Sequence, residues 1–174
     1  MQKITTSIMK NLKNSALILG NEISLLLAVF CYLAVVSPLT ANLYRPFLLV
    51  LGVFFTVLMI WCWRNIIRLL KGEQVSVFRW PKPFGGFPKH LNSNERKLKM
   101  LGCTLAGVGG FVGLYSIHEH LTCYFTNIGT AMGAFSSLKI DEPSLNPFFV
   151  ALGLFVNLIL SNYGLRLMKP LFSR

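Results

Sequence analysis

Five side chains within nine residues are of types that bind metals or move protons: Tyr115, His118, Glu119, His120 and Cys123. Imidazole, carboxylate and thiolate together suit zinc, copper or iron, and a histidine near a membrane face can relay protons at neutral pH. A metal or haem held by His118, Glu119, His120 and Cys123 is therefore one expectation. The spacing speaks against it. His118 and His120 stand two apart, whereas two ligands on one helix face stand four apart. The four converge only if a helix ends there and a loop gathers them. The plainer alternative is a helix reaching the water interface, where its next residues are polar for that reason alone. On that alternative no cofactor is expected.

Other catalytic signatures are missing from the sequence. Gly107-Val108-Gly109-Gly110 lies among apolar residues and is no phosphate cradle. Cys31, Cys62, Cys103 and Cys123 include no CxxC pair, which argues against a disulfide framework or a structural zinc site. Such cysteines act as small hydrophobes.

The elements that must position these residues are apolar. Of 174 residues 53% are hydrophobic and 13% charged, where a soluble domain carries about 25% charged residues. A soluble chain this small cannot hide so much apolar surface, so the solvent is a bilayer, and the fold class expected is an all-α integral membrane protein. Four stretches are long enough to span, at 23–39, 46–63, 98–117 and 147–165. Pro38 closes the first, Pro46 opens the second, and Trp61 and Trp63 anchor its exit. Asn92 and Glu95 have the spacing of a capping box ahead of the third.

The chain divides accordingly. Residues 1–20 read as a basic amphipathic helix lying in the headgroup plane. Residues 21–71 form a first transmembrane hairpin, and 72–97 a loop rich in basic and aromatic residues. Residues 98–174 form a second hairpin, with an outer loop at 118–145. Asn21 and Glu22 interrupt the approach to the first span and no small-residue cleavage motif follows it, so it reads as a retained helix, not a signal peptide. The stretch 121–138 is too polar for a lipid-facing span and reads as interfacial or re-entrant.

Charge orients the hairpins. The formal net charge is +11, and the 64–99 stretch holds nine of the seventeen basic residues. The tails hold three each, while Arg45 and Lys139 stand alone on the other side. Four spans put both termini and the middle loop in the cytoplasm, and a fifth would not. Because the charges border apolar spans, they point to anionic lipid headgroups and not to nucleic acid.

Two further sets of residues carry expectations. Gly102, Ala106 and Gly110, together with Gly109 and Gly113, make small-xxx-small rows that let helices approach closely, and Asn157 is an amide placed to bond across helices. In the middle loop, Arg79, Trp80, Lys82, Phe84, Phe87 and Lys89 suit docking against a partner protein or lipid. Charges are missing from the span centres as drawn, and no internal repeat is visible, which disfavours a transporter acting alone. The function expected is a non-enzymatic subunit of a larger assembly in the plasma (inner) membrane, of secretion, conjugation or respiratory type. The alternatives are a metal, haem or redox protein, or a homo-oligomeric channel or transporter with the span-three glycines at its interface.

Overall fold

The computed structural model describes residues 2–73, 91–135 and 141–172. Four long helices dominate: α1 Gln2–Val36, α2 Arg45–Leu70, α3 Ser93–Ala131 and α4 Pro147–Phe172, with a single 3-10 turn at Asn42–Tyr44. Each of the four is long and apolar enough to cross a membrane. The chain is thus an all-helical, multi-pass membrane protein.

Local sequence explains where each helix stops. Pro38 cannot continue α1, which ends at Val36. Both α2 and α3 end in a Schellman motif. After α2, Gly72 takes φ 77°, its N–H reaches the Leu69 carbonyl at 3.1 Å, and the Glu73 N–H reaches Arg68 at 3.0 Å. After α3, Gly133 takes φ 72°, with Gly133 N–H on Thr130 at 2.9 Å and Ala134 N–H on Gly129 at 2.8 Å. Glycine enters this left-handed region without a Cβ penalty. At the start of α3 the Asn92 N–H donates to Glu95 Oε2 at 3.1 Å. At the start of α4 Asn146 Oδ1 accepts from the Phe148 N–H at 2.9 Å, with Pro147 behind it in the first turn.

Two boundaries differ from the sequence expectation. The 1–20 segment is not a separate surface helix: α1 runs unbroken from Gln2 to Val36. Asn21 and Glu22 are polar but do not break a helix, and no proline stands between residues 2 and 36. Likewise, the expected outer loop at 118–145 begins as helix, because α3 continues to Ala131. Polarity does not end a helix when nothing removes a backbone hydrogen bond, and the first residue there to take a left-handed φ is Gly133. At 1.5 Å per residue α3 is about 58 Å long, which exceeds the ~40–45 Å of a whole bilayer with its headgroups.

The helices alternate in direction. α3 packs mainly on α4, and α1 mainly on α2. At one end the start of α1 meets the ends of α2 and α4. There Ile18, Ile66, Leu70, Ala106, Leu165 and Met168 form a core cluster drawn from all four helices. At the opposite end the 37–44 turn joins the segment after α3. Tyr44 Oη donates to the Met132 carbonyl at 2.6 Å, Thr40 bridges Phe135, and Phe30 meets Phe135 edge-on at 6.0 Å.

Burial is inverted relative to a soluble fold. Ser161 is 0% exposed and Asn157 1%, while Phe148 is 67% exposed and Phe111 60%. Water would reverse that order, whereas hydrocarbon favours it.

Candidate functional site

The interior is organised by an antiparallel seam of small residues between α3 and α4. Gly102 and Ala106 lie against Gly164, Gly109 against Ser161, Gly113 against Asn157, and Ser116 against Gly153. On α3 these positions recur at alternating intervals of four and three, the period that keeps one face turned to a neighbouring helix. A Cβ on Gly109 would sit 2.8 Å from Ser161 Oγ and 2.9 Å from the Ser161 backbone nitrogen. The backbones are thus as close as glycine allows, which is how helices gain dispersion energy in lipid. Of the expected row, Gly102, Ala106, Gly109 and Gly113 face α4. Gly110 turns to α1 instead, where Ile18 and Glu22 cover it.

Asn157 sits at the middle of the seam and joins three helices. Its Nδ2 donates to the Gly109 carbonyl at 2.8 Å and to Ser161 Oγ at 3.4 Å. Its Oδ1 accepts from Ser15 Oγ of α1. One turn further along α4, Asn162 extends the network. Its Nδ2 donates to the carbonyls of Leu158 at 2.6 Å and Asn11 at 3.0 Å, and its Oδ1 accepts from Asn14 Nδ2 at 3.1 Å. A Leu158 carbonyl bonded in this way stays within α4, whereas Asn11 and Asn14 belong to α1. The first half of α1 is therefore fastened into the bundle by amides. Each such bond in lipid is worth about 0.6 kcal/mol on average.

Glu22 is a charged residue inside a helix of membrane-spanning length, not ahead of it. The sequence reading set it just before the first span. The continuous α1 carries it beside Gly110, at the level where Asn157 and Ser161 cross α3. It was missed because a charge had been used to mark the boundary of the span.

The expected metal ligands do not come together. At 3.6 residues per turn His118 and His120 point about 200° apart on a continuous helix. The His118 ring stacks on Tyr115 at 4.8 Å and its Nδ1 meets the Tyr115 carbonyl, while His120 is exposed. Glu119 and Cys123 share the other face. Glu119 Oε2 accepts from Ser144 Oγ at 3.1 Å, and Cys123 takes a 3.3 Å contact from Asn127 Nδ2 and lies 3.7 Å from the Asp141 carbonyl. They hold the 141–144 strap against α3. Among the described residues no three His, Cys, Asp or Glu side chains are grouped to hold a metal. The loop that was to gather them does not form at 118–131, because α3 continues through it.

The docking residues Arg79, Trp80, Lys82, Phe84, Phe87 and Lys89 lie outside the described residues. Reading the sequence also missed the α4 half of the seam, Gly153, Ser161 and Gly164, and Ser15 on α1. The signal was present in α4 as small or amide residues at 153, 157, 161 and 164, spaced four, four and three apart. No protein-family model matches the chain, and no curated protein or solved structure is detectably similar to it.

Proposed function

We propose that this chain is a non-enzymatic integral membrane subunit that assembles with other membrane proteins in a larger complex. The observation that carries the reading is the closure of the bundle interior. Asn157, Ser161, Gly109 and Gly113 are packed together, and the Asn157 amide is bonded to Ser15, Gly109 and Ser161. A layer filled in this way offers no room for a substrate, so the surfaces left to act are the ends and the flanks. Of the flanks, α2 is the most open. Its most apolar window is 17% buried, about half the share of the other three helices. Phe47, Val50, Phe54 and Val57 face outward along it.

The same packing weakens the homo-oligomeric channel alternative. That alternative needs the span-three glycines at an interface between copies, yet Gly109 and Gly110 are covered by α4 and α1 of their own chain. In the favoured reading both termini and the 72–97 loop lie in the cytoplasm of a cell whose plasma (inner) membrane holds the protein, with the basic loop toward partners or anionic lipid.

The test is gentle extraction of a tagged full-length chain, followed by native electrophoresis and mass spectrometry. A discrete species well above the 19.5 kDa of the chain, with other proteins in fixed ratio, is the expected result. A stable monomer with nothing co-purifying overturns the proposal.

A further inference from the structure

Between the start of α1 and the ends of α2 and α4 lies a cavity of about 290 Å³. Lys10 and Asn11 of α1 and Arg166 and Lys169 of α4 line it, with Asn14 at its inner wall and Glu73 at its rim. Three cations thus face one carboxylate, and that carboxylate is engaged elsewhere, 3.8 Å from Arg68 Nε. The wall is built, not loose. Arg166 Nη2 is held by Asn11 Oδ1 at 3.4 Å, and Asn14 Nδ2 by Asn162 at 3.1 Å. Asn14 Oδ1 is buried and, among the described residues, has no donor. Buried acceptors without a donor are uncommon.

The depth of the cavity narrows what enters it. On α2 the stretch from Tyr44 to Trp63 is about 28 Å long, close to the ~30 Å hydrocarbon thickness. Trp63 is exposed, as an interface anchor should be. Leu69 and Leu70 of the cavity wall lie roughly 9 to 10 Å beyond it along the helix, at the water-facing edge of the headgroup layer. Apolar Leu69, Leu70 and Leu165 share the wall with the cations.

We infer that this cavity binds a phosphate ester, with the phosphate on Lys10, Arg166 and Lys169 and the alcohol part of the same molecule against Ser7 and Asn11. A phosphoglycerol headgroup carries both parts, and basic pockets between spanning helices are where such headgroups settle. A soluble phosphate ester offers the same two parts. The inference does not depend on the chain being a complex subunit.

The experiment uses the purified full chain in phosphatidylcholine nanodiscs. One arm titrates in phosphatidylglycerol and the other adds glycerol 3-phosphate or inorganic phosphate, with binding read as a shift in thermal unfolding. Native mass spectrometry then counts retained lipid. Two exposed lysines without a structural bond, changed together as Lys10→Gln/Lys169→Gln, should weaken binding about thirtyfold. The matched surface pair Arg96→Gln/Lys97→Gln should leave it unchanged. Selective binding of phosphatidylglycerol assigns the site to lipid, and equal binding of glycerol 3-phosphate assigns it to a soluble ester. Binding of neither above the phosphatidylcholine background, or equal loss in both variant pairs, overturns the inference.

Discussion

Asn157 shows how much one amide does when its surroundings cannot hydrate it. It accepts from Ser15, donates to Gly109 and touches Ser161, so three helices share one side chain. Asn157→Ala should cost about 1–2 kcal/mol, from two or three bonds at roughly 0.6 kcal/mol each. The measurement is reversible unfolding in detergent, and an unchanged midpoint would remove the network from the account. The value of the amide in sequence is ambiguous, because a mid-span Asn can face lipid, a neighbour or another chain. Only the position of Gly109 and Ser15 decides among these. Glu22 makes the same point from the other side. Its charge marks a boundary on a hydropathy plot, but glutamate is itself a good helix former and no proline stands near it to stop the helix.

At the scale of the element, the α3–α4 seam sets which glycines matter. Gly109→Ala places a methyl against the Ser161 backbone, which cannot swing away, and should cost about 1–3 kcal/mol as overpacking does. Gly107 has nothing within 4 Å of the site a Cβ would occupy. Gly107→Ala should therefore be neutral or stabilising by up to about 1 kcal/mol, since alanine loses less backbone freedom. The two variants differ by two positions in one glycine-rich run, and thermal unfolding side by side compares them directly. Equal effects would mean that the seam is not in the register described. The sequence shows a glycine-rich helix, but with five glycines in twelve residues several faces qualify. The α4 partners at 153, 161 and 164 select one of them.

For the whole molecule, the alternation of four helices brings the start of α1 and the end of α4 to the same end of the bundle, where Asn11 meets Arg166. Lys10 of α1, Arg68 of α2 and Arg166 and Lys169 of α4 thereby gather at one end. If that end is cytoplasmic, a cysteine at exposed Glu142 in an otherwise cysteine-free chain should react with an impermeant maleimide in intact cells. One at exposed Asn94 should react only after permeabilisation. The reverse pattern would invert the topology and place the phosphate-binding cavity in the opposite leaflet. The strap at 141–144, tied to Glu119 and Cys123, would then face the cytoplasm.

Composition and period alone determined that four helices are long and apolar enough to cross a membrane, where Gly72, Asn92 and Pro147 begin or end them, and that the basic residues concentrate in the tails and the middle segment. These are local or summed properties: hydropathy over a window, a cap, a count of charges. Tertiary structure decided the rest. It joined residues 1–20 to the first span and carried α3 to Ala131, because helix propagation is cooperative and a polar residue does not break it. It also parted His118 from His120, since two residues on a helix diverge however well their chemistry matches. Finally, it paired Ser15, Gly109 and Asn157, which lie far apart in the chain and share no local pattern. Their meeting depends on the register of three helices, and that register is set by which small side chains let backbones touch.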